Sequence, residues 1–296
     1  MPVPAWRDLL ARLIGRVGPV RGATRLKRML VSKTICQHAG LETCTYPRGF
    51  GVSAKWQGSS ASFLGWNVIY CGWHELETHG VMASFLKPGM RVIEAGANEG
   101  YHTLFAAACV GSTGRVTAYE PSPRERSRLV ANVALNRFED RVVVRDPALS
   151  DFSGSSSFLV PLDDEWNRGV ASLAEHYQSA EKVSSIQVRV ATLDSEERGD
   201  CEFIKLDVQG AEASILRGAS ALLERCQPVV YFEVEGGERS AVEFLKGLGY
   251  NVWRVKLTRR RPGYCLSTNI DEIGRQVSLN CLALPPKHSL HSIRAV

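Results

Sequence analysis

From Gly89 onward, apolar stretches of strand length alternate with stretches of helix length, and this alternation restricts the fold more than any other feature. Arg91–Ala95, Arg115–Glu120, Arg141–Arg145, Phe203–Asp207 and Val229–Glu233 read as strands. Residues 103–110, 123–137, 210–224 and 239–248 read as helices, and further strand-like stretches follow at 250–257 and 277–284. A helix between two strands carries the chain back along the sheet, so successive strands run parallel and need cover on both faces. The expectation for residues 85–296 is an α/β, doubly wound, Rossmann-like domain: a mostly parallel seven-stranded sheet with helices on both faces. Residues 150–195 interrupt the alternation and read as a β-rich insertion.

Residues 1–84 form an accessory segment of different character. Trp6, Leu9, Leu10, Leu13, Ile14 and Val17 fall on one face of a helix over 5–17, with Arg7, Arg12 and Arg16 elsewhere on the wheel. Residues 1–33 hold eight Lys or Arg against one Asp, a net +7, which leaves −2 for the rest of a chain whose total is +5. A basic amphipathic helix docks on its own domain or lies on an anionic membrane. Docking is the favoured expectation, and peripheral membrane contact through residues 1–33 is the alternative. Residues 34–84 are rich in Gly, Ser and aromatics, and Asn67–Tyr70 looks strand-like.

The acidic body and the lack of a basic–aromatic stripe argue against a nucleic-acid partner. No apolar run approaches the ~18 residues of a membrane span. The eight cysteines show no C-x-x-C pair and no zinc spacing, which fits reduced thiols and a cytoplasmic protein.

The sharpest local signal is Glu94-Ala95-Gly96-Ala97-Asn98-Glu99-Gly100, an acid at a strand end followed by a glycine-bracketed turn into a helix. Glu120 ends the next strand and suits the ribose hydroxyls of a nucleoside. A dinucleotide would need a G-x-G-x-x-G cradle, and a carboxylate at 94 would repel its pyrophosphate. A cationic cofactor without phosphates fits better. In S-adenosylmethionine, Glu94 would bind the ammonium and backbone N–H groups at 96–100 the carboxylate.

Several runs resemble the FkbM-type methyltransferases. Val92–Thr103 resembles their first motif and Tyr119-Glu120-Pro121-Ser122-Pro123 their second. Asn132–Asn136, Ala148–Asp151, Thr192–Asp194 and Phe203–Glu212 follow in the family's order, so the resemblance covers about residues 70–235. It implies a class I methyltransferase fold, S-adenosyl-L-methionine as cofactor, and a hydroxyl on a sugar, glycolipid or natural product as acceptor. Two positions depart from the family: Glu94 stands where Asp is frequent, and Gln209 where Glu is frequent.

The candidate cofactor-binding residues are therefore Glu94, Gly96, Ala97, Asn98, Gly100, Tyr101, Glu120, Pro121 and Ala148. Methyl transfer needs an aligned acceptor, and a hydroxyl acceptor must also lose a proton. Asp207, at a strand end, is the best catalytic candidate. His102 is a candidate base, Glu212 and Glu233 are weaker ones, and Lys205 is placed to pair with one of these acids. No metal is expected; a variant with Asp207 and Glu233 as ligands is the lesser reading. A nicotinamide oxidoreductase and a non-catalytic nucleoside-binding module are the alternatives in function. Trp166, Asn167, Arg168, His176 and Tyr177 are candidate acceptor contacts. The sequence does not decide the oligomeric state.

Overall fold

The structure is a computed structural model that describes residues 5–16, 40–46, 50–161, 171–173, 175–176, 183–235, 239–257, 264–267 and 278–288. In chain order it begins with α1 (Ala5–Arg16), the hairpin β1 (Leu41–Thr45) and β2 (Lys55–Ser59), and α2 (Phe63–Trp66). A π-helix (Asn67–Cys71) and α3 (Leu76–Phe85) follow. The parallel core opens with β3 (Arg91–Ala95), α4 (Tyr101–Val110), β4 (Arg115–Tyr119), α5 (Pro123–Leu135) and β5 (Val142–Arg145). Four strands then leave the main sheet: β6 (Ala148–Leu149), β7 (Gly154–Pro161), β8 (Ser172–Leu173) and β9 (Val183–Ala191). The chain returns through α6 (Leu193–Glu196), β10 (Phe203–Leu206), α7 (Glu212–Arg217), α8 (Ser220–Cys226), β11 (Val229–Glu235) and α9 (Ser240–Gly247). It ends with β12 (Asn251–Leu257), β13 (Tyr264–Ser267) and β14 (Ser278–Leu284).

The main sheet has the order β13-β12-β14-β11-β10-β3-β4-β5. The neighbours from β5 to β11 pair in parallel, and β14 runs antiparallel between β11 and β12. These include the seven strands expected from the sequence; β13 adds an edge strand that the sequence pattern did not reveal. The chain runs outward from β3 to β5 and then returns to β10 on the other side of β3. That reversal opens a crevice beyond the carboxyl ends of β3 and β10, where ligands bind in sheets of this kind.

Core composition follows from the strands' period of two. Val92, Val116, Phe203 and Tyr231 point into one apolar layer, with Leu104 and Phe105 of α4. Their neighbours Ile93, Ile204, Val230 and Phe232 point into the other, with Ile215, Leu222 and Val242. Tyr46, Trp56, Val81 and Met82 belong to the first layer. The described residues between 46 and 86 therefore complete the core that the later strands begin.

Two asparagines clip this segment in place. Asn132 on α5 and Asn136, which caps its C-terminus, lie one turn apart and face the backbone of β2. Gln57 N donates to Asn132 Oδ1 at 2.8 Å, and Asn132 Nδ2 donates to Gln57 O at 3.0 Å. Asn136 makes the same two bonds with Lys55, at 2.7 and 2.6 Å. The side-chain amides act as a surrogate strand for an otherwise open edge.

Three expectations change. Asn67–Tyr70 is helical, because its short apolar run packs with Trp66 and Ala11, and periodicity cannot separate a short buried strand from a short buried helix. The helix expected over 210–224 is two helices, broken where Gly218 passes the Ser150 carbonyl so closely that a Cβ would sit 2.1 Å from its oxygen. Helix α1 docks, but through the face opposite to the one expected. Ala11 is buried, Tyr70 OH donates to Asp8 at 2.8 Å, and Arg12 bridges Asp8 and Glu42, each at 2.7 Å. Trp6, Leu9, Leu10 and Leu13 are 40–60% exposed. A partly exposed charged network and one small buried residue hold the helix where a leucine stripe was expected to. Ile14 and Val17 lie outside the described side chains. No described helix is long and apolar enough to cross a membrane, and the described cysteines form no disulfide.

Candidate active site

A cavity of about 460 Å³ opens at the reversal between β3 and β10. Gly96, Ala97, Asn98, Tyr101, His102, Glu120, Pro121, Ala148 and Asp207 line it. Eight of these nine sequence candidates are brought together because each lies in a turn after a main-sheet strand or at the start of the helix that follows; Ala148 opens β6 of the smaller sheet. Glu94, Gly100 and Glu212 do not line it.

The glycine turn is tight for a reason internal to the protein. Gly96 has φ 78°, and a Cβ there would lie 1.9 Å from the Asp207 carbonyl oxygen. The turn thus lets β3 and β10 finish side by side. Its backbone N–H groups are already engaged: Gly96 and Ala97 donate to Tyr119 O, Asn98 to Glu120, Glu99 to the Asn98 side chain, and Gly100 to Ala97 O. The expectation that they hold a ligand carboxylate is corrected accordingly. Gly100, at φ 87°, packs against Leu129 beneath the turn.

Glu94 is also corrected. It is 1% exposed and lies under the cavity floor, accepting a 2.6 Å hydrogen bond from Thr103 and standing 3.6 Å from Lys205 Nζ. Lys205 is equally buried and reaches Asp207 Oδ2 at 3.0 Å. Burial alone would push the Lys205 ammonium down, but the carboxylates of Asp207, Glu94 and Glu75 overcome this and hold it above its ordinary range. The strand-end acid therefore charges the floor through a buried lysine, without touching the cavity. Glu212 is buried and accepts from Val208 N at 3.2 Å, so it closes the 207–212 turn rather than lining the cavity.

Glu120 lines the cavity while bracing both turns around it. One carboxylate oxygen accepts from Asn98 N at 2.7 Å and the other from Ser122 N at 2.9 Å. Burial pushes its carboxyl up to about 7, although these two N–H groups pull it down. Each oxygen keeps a second lone pair for a ligand hydroxyl.

Sequence reasoning missed the pair His74 and Glu75, which sit in the turn before α3 and line the cavity beside His102. His102 Nε2 is 3.2 Å and His74 Nε2 3.3 Å from the two oxygens of Glu75. Burial would push the His74 ring down, but Glu75 outweighs it and raises the ring. Burial likewise opposes ionisation of Glu75, and His74 and His102 reverse this, taking its carboxyl well below the usual range. Only the adjacency of a histidine and a glutamate ahead of a helix marks this pair in the sequence, and that is common. Gln209 Nε2 and Glu233 Oε2 meet at 3.4 Å on the β11 side of the cavity. His176 is half-buried beside Glu175; Trp166, Asn167, Arg168 and Tyr177 lie outside the described residues.

A family model described as the methyltransferase FkbM domain matches residues 94–252, more than half of the chain. The chain belongs to the FkbM methyltransferase family. The main sheet described above has the doubly wound, mostly parallel order that the sequence led one to expect. Among curated proteins, a tRNA (adenine(58)-N(1))-methyltransferase of Thermus thermophilus is 48% identical over 48 residues, 16% of this chain and 19% of that protein. The match thus spans about a fifth of that relative's length. Among solved structures, the methyltransferase FkbM of Methylobacillus flagellatus is 13% identical, with a TM-score of 0.42, covering 94% of this chain and 59% of that one. A SAM-dependent O-methyltransferase of Thermotoga maritima is 12% identical, with a TM-score of 0.42, covering 80% and 78%.

Proposed function

We propose that this FkbM-family methyltransferase is an O-methyltransferase acting on a hydroxyl of a small molecule or glycan in the cytoplasm. The observation that carries this reading is the division of the cavity along the sheet edge. On the β4 side stand Glu120 and the apolar residues Pro121, Ala148, Leu149, Phe158 and Leu173. On the β10 and β11 side stand Asp207, Gln209 and Glu233, with His74, Glu75 and His102. The first half suits an adenosine: a carboxylate for the ribose hydroxyls and apolar walls for a planar base. The second is crowded with groups that accept or hold protons, as a hydroxyl acceptor requires.

S-adenosylmethionine, when bound, supplies a methyl group on a positively charged sulfur. Glu120 would hold its ribose and Asn98, Tyr101, Pro121 and Ala148 would frame it. Asp207, fixed by Lys205 through one oxygen, would orient the acceptor hydroxyl and draw on its proton. Positioning supplies much of the rate in such a displacement.

The net −2 of the chain beyond residue 33 supports a small polar acceptor over a nucleic acid. The exposed apolar side chains of α1, within a +7 leader, support peripheral contact of residues 1–33 with an anionic membrane.

The test is methyl transfer from labelled cofactor into glycan, glycolipid and polyphenol extracts, with tRNA and rRNA transcripts in parallel. Products carrying an O-methyl ether are expected. Label confined to a base nitrogen of RNA would overturn the reading.

A further inference from the structure

We propose that His74, Glu75 and His102 form a binding site for a divalent first-row transition ion at the acceptor end of the cavity. Among the described residues, this is the group of three whose ligand atoms converge, all within 4.8 Å of one another. Two bonds of about 2.1 Å meeting at tetrahedral or octahedral angles set their donor atoms roughly 3.0–3.4 Å apart. The separations from Glu75 Oε1 to His74 Nε2 and from Glu75 Oε2 to His102 Nε2 are 3.3 and 3.2 Å.

Chemistry and setting agree with the spacing. Two imidazoles and one carboxylate suit zinc, iron, manganese or cobalt, whereas magnesium and calcium favour all-oxygen sets. Three protein ligands leave coordination positions open. All three residues line the cavity, so those positions face the space where the acceptor would lie. An ion there would bind the acceptor's hydroxyl and make its proton easier to lose.

The ligand turn is held at some cost. Glu75 has φ 47° and ψ 64°, a left-handed conformation that a residue with a side chain avoids. Its carboxylate is steadied from behind: Thr78 Oγ1 lies 3.1 Å from Oε2 and 2.8 Å from Tyr231 OH on β11. Ligand carboxylates are commonly oriented in this way. Asp207 and Glu233, the pair considered for a metal on the sequence alone, are not part of the cluster.

The deciding experiment uses the full chain stripped with a chelator and then titrated with cobalt(II), zinc and manganese. One equivalent of ion is expected, with a cobalt ligand-field spectrum of mixed nitrogen and oxygen coordination. His74→Ala, His102→Ala and Glu75→Ala should each abolish stoichiometric binding. Thr78→Val should weaken it by about 10–100-fold, and Asp207→Asn should leave it intact. Circular dichroism of each variant separates lost ligation from lost fold. Absence of binding by the folded wild-type chain would overturn the proposal and make the cluster a proton-holding network. Cofactor titration of the same stripped protein reports separately on the methyltransferase reading, because a cofactor that binds without the ion leaves that reading standing.

Discussion

Lys205 and Asp207 are two residues apart on β10 and its following turn, and their side chains meet at 3.0 Å where the lysine is 1% exposed. Successive strand residues point to opposite faces, so i and i+2 share a face, and here both reach the cavity floor. With Glu94 behind it, the lysine joins two carboxylates from neighbouring strands.

Lys205→Met is expected to destabilise the fold strongly, because it leaves Glu94 buried without a counter-charge. Loss of one partner from a buried pair costs on the order of 3–5 kcal/mol. Urea unfolding should show this, and Glu94→Gln in the same chain should recover part of it. Additive losses in the double variant would show that the two residues do not interact.

Asp207→Asn should keep the fold, since Lys205 retains Glu94 as counter-charge and the amide oxygen as acceptor. Turnover should fall by roughly 10²–10⁴-fold if Asp207 handles the acceptor proton. Single-turnover methyl transfer measures this directly, and unchanged turnover would assign Asp207 to structure.

Gly96→Val should destabilise the sheet as well as block the cofactor. Its Cβ would strike the Asp207 backbone at 1.9 Å, and the φ of 78° is unfavourable for any side chain. A thermal midpoint equal to wild type would show that the turn accommodates the side chain and would confine its effect to the cavity.

Glu120 provides a pH signature. Its carboxyl is raised from 4.5 to about 7, so the folded state binds this proton more tightly than the unfolded chain does. Its contribution to stability is therefore fully present below about pH 4.5 and is lost as pH rises through about 7. Glu120→Gln should remove that decline from the stability profile. Ribose hydroxyls donating to the carboxylate would favour its ionised form, so cofactor affinity should rise with pH near 7 and binding should release a proton. Calorimetry in buffers of different ionisation heat reads the release, and Glu120→Gln should show none.

Arg12→Ala should loosen α1 without harming the core, a change of about 1 kcal/mol or less for a part-exposed ion pair. Deleting residues 1–33 should remove sedimentation with anionic vesicles at low salt and leave methyl transfer to a soluble acceptor intact. Vesicle binding that persists in the truncated chain would place the contact elsewhere.

The sequence by itself determined seven of the main sheet's strands, its mostly parallel direction and the places where the chain turns at the cavity, because these are local. Val92-Ile93 and Phe203-Ile204 are apolar on both faces, and Gly96, Glu120 and Asp207 each follow directly on a strand. Tertiary structure decided which of those groups meet a ligand. Glu94 and Glu120 look equivalent as strand-end acids, yet one sits under the floor on Lys205 and the other lines the cavity. His74 and Glu75 come from a segment with no legible period, and they reach His102 only because Trp56, Val81 and Met82 seat that segment on the sheet. Helix α1 makes the same point. Its period marked an apolar stripe, but whether that stripe or the Asp8–Arg12 face met the domain depended on Tyr70 and Glu42, which are distant in sequence. Local patterns fix what each element is; contacts between elements far apart in the chain fix what each side chain does.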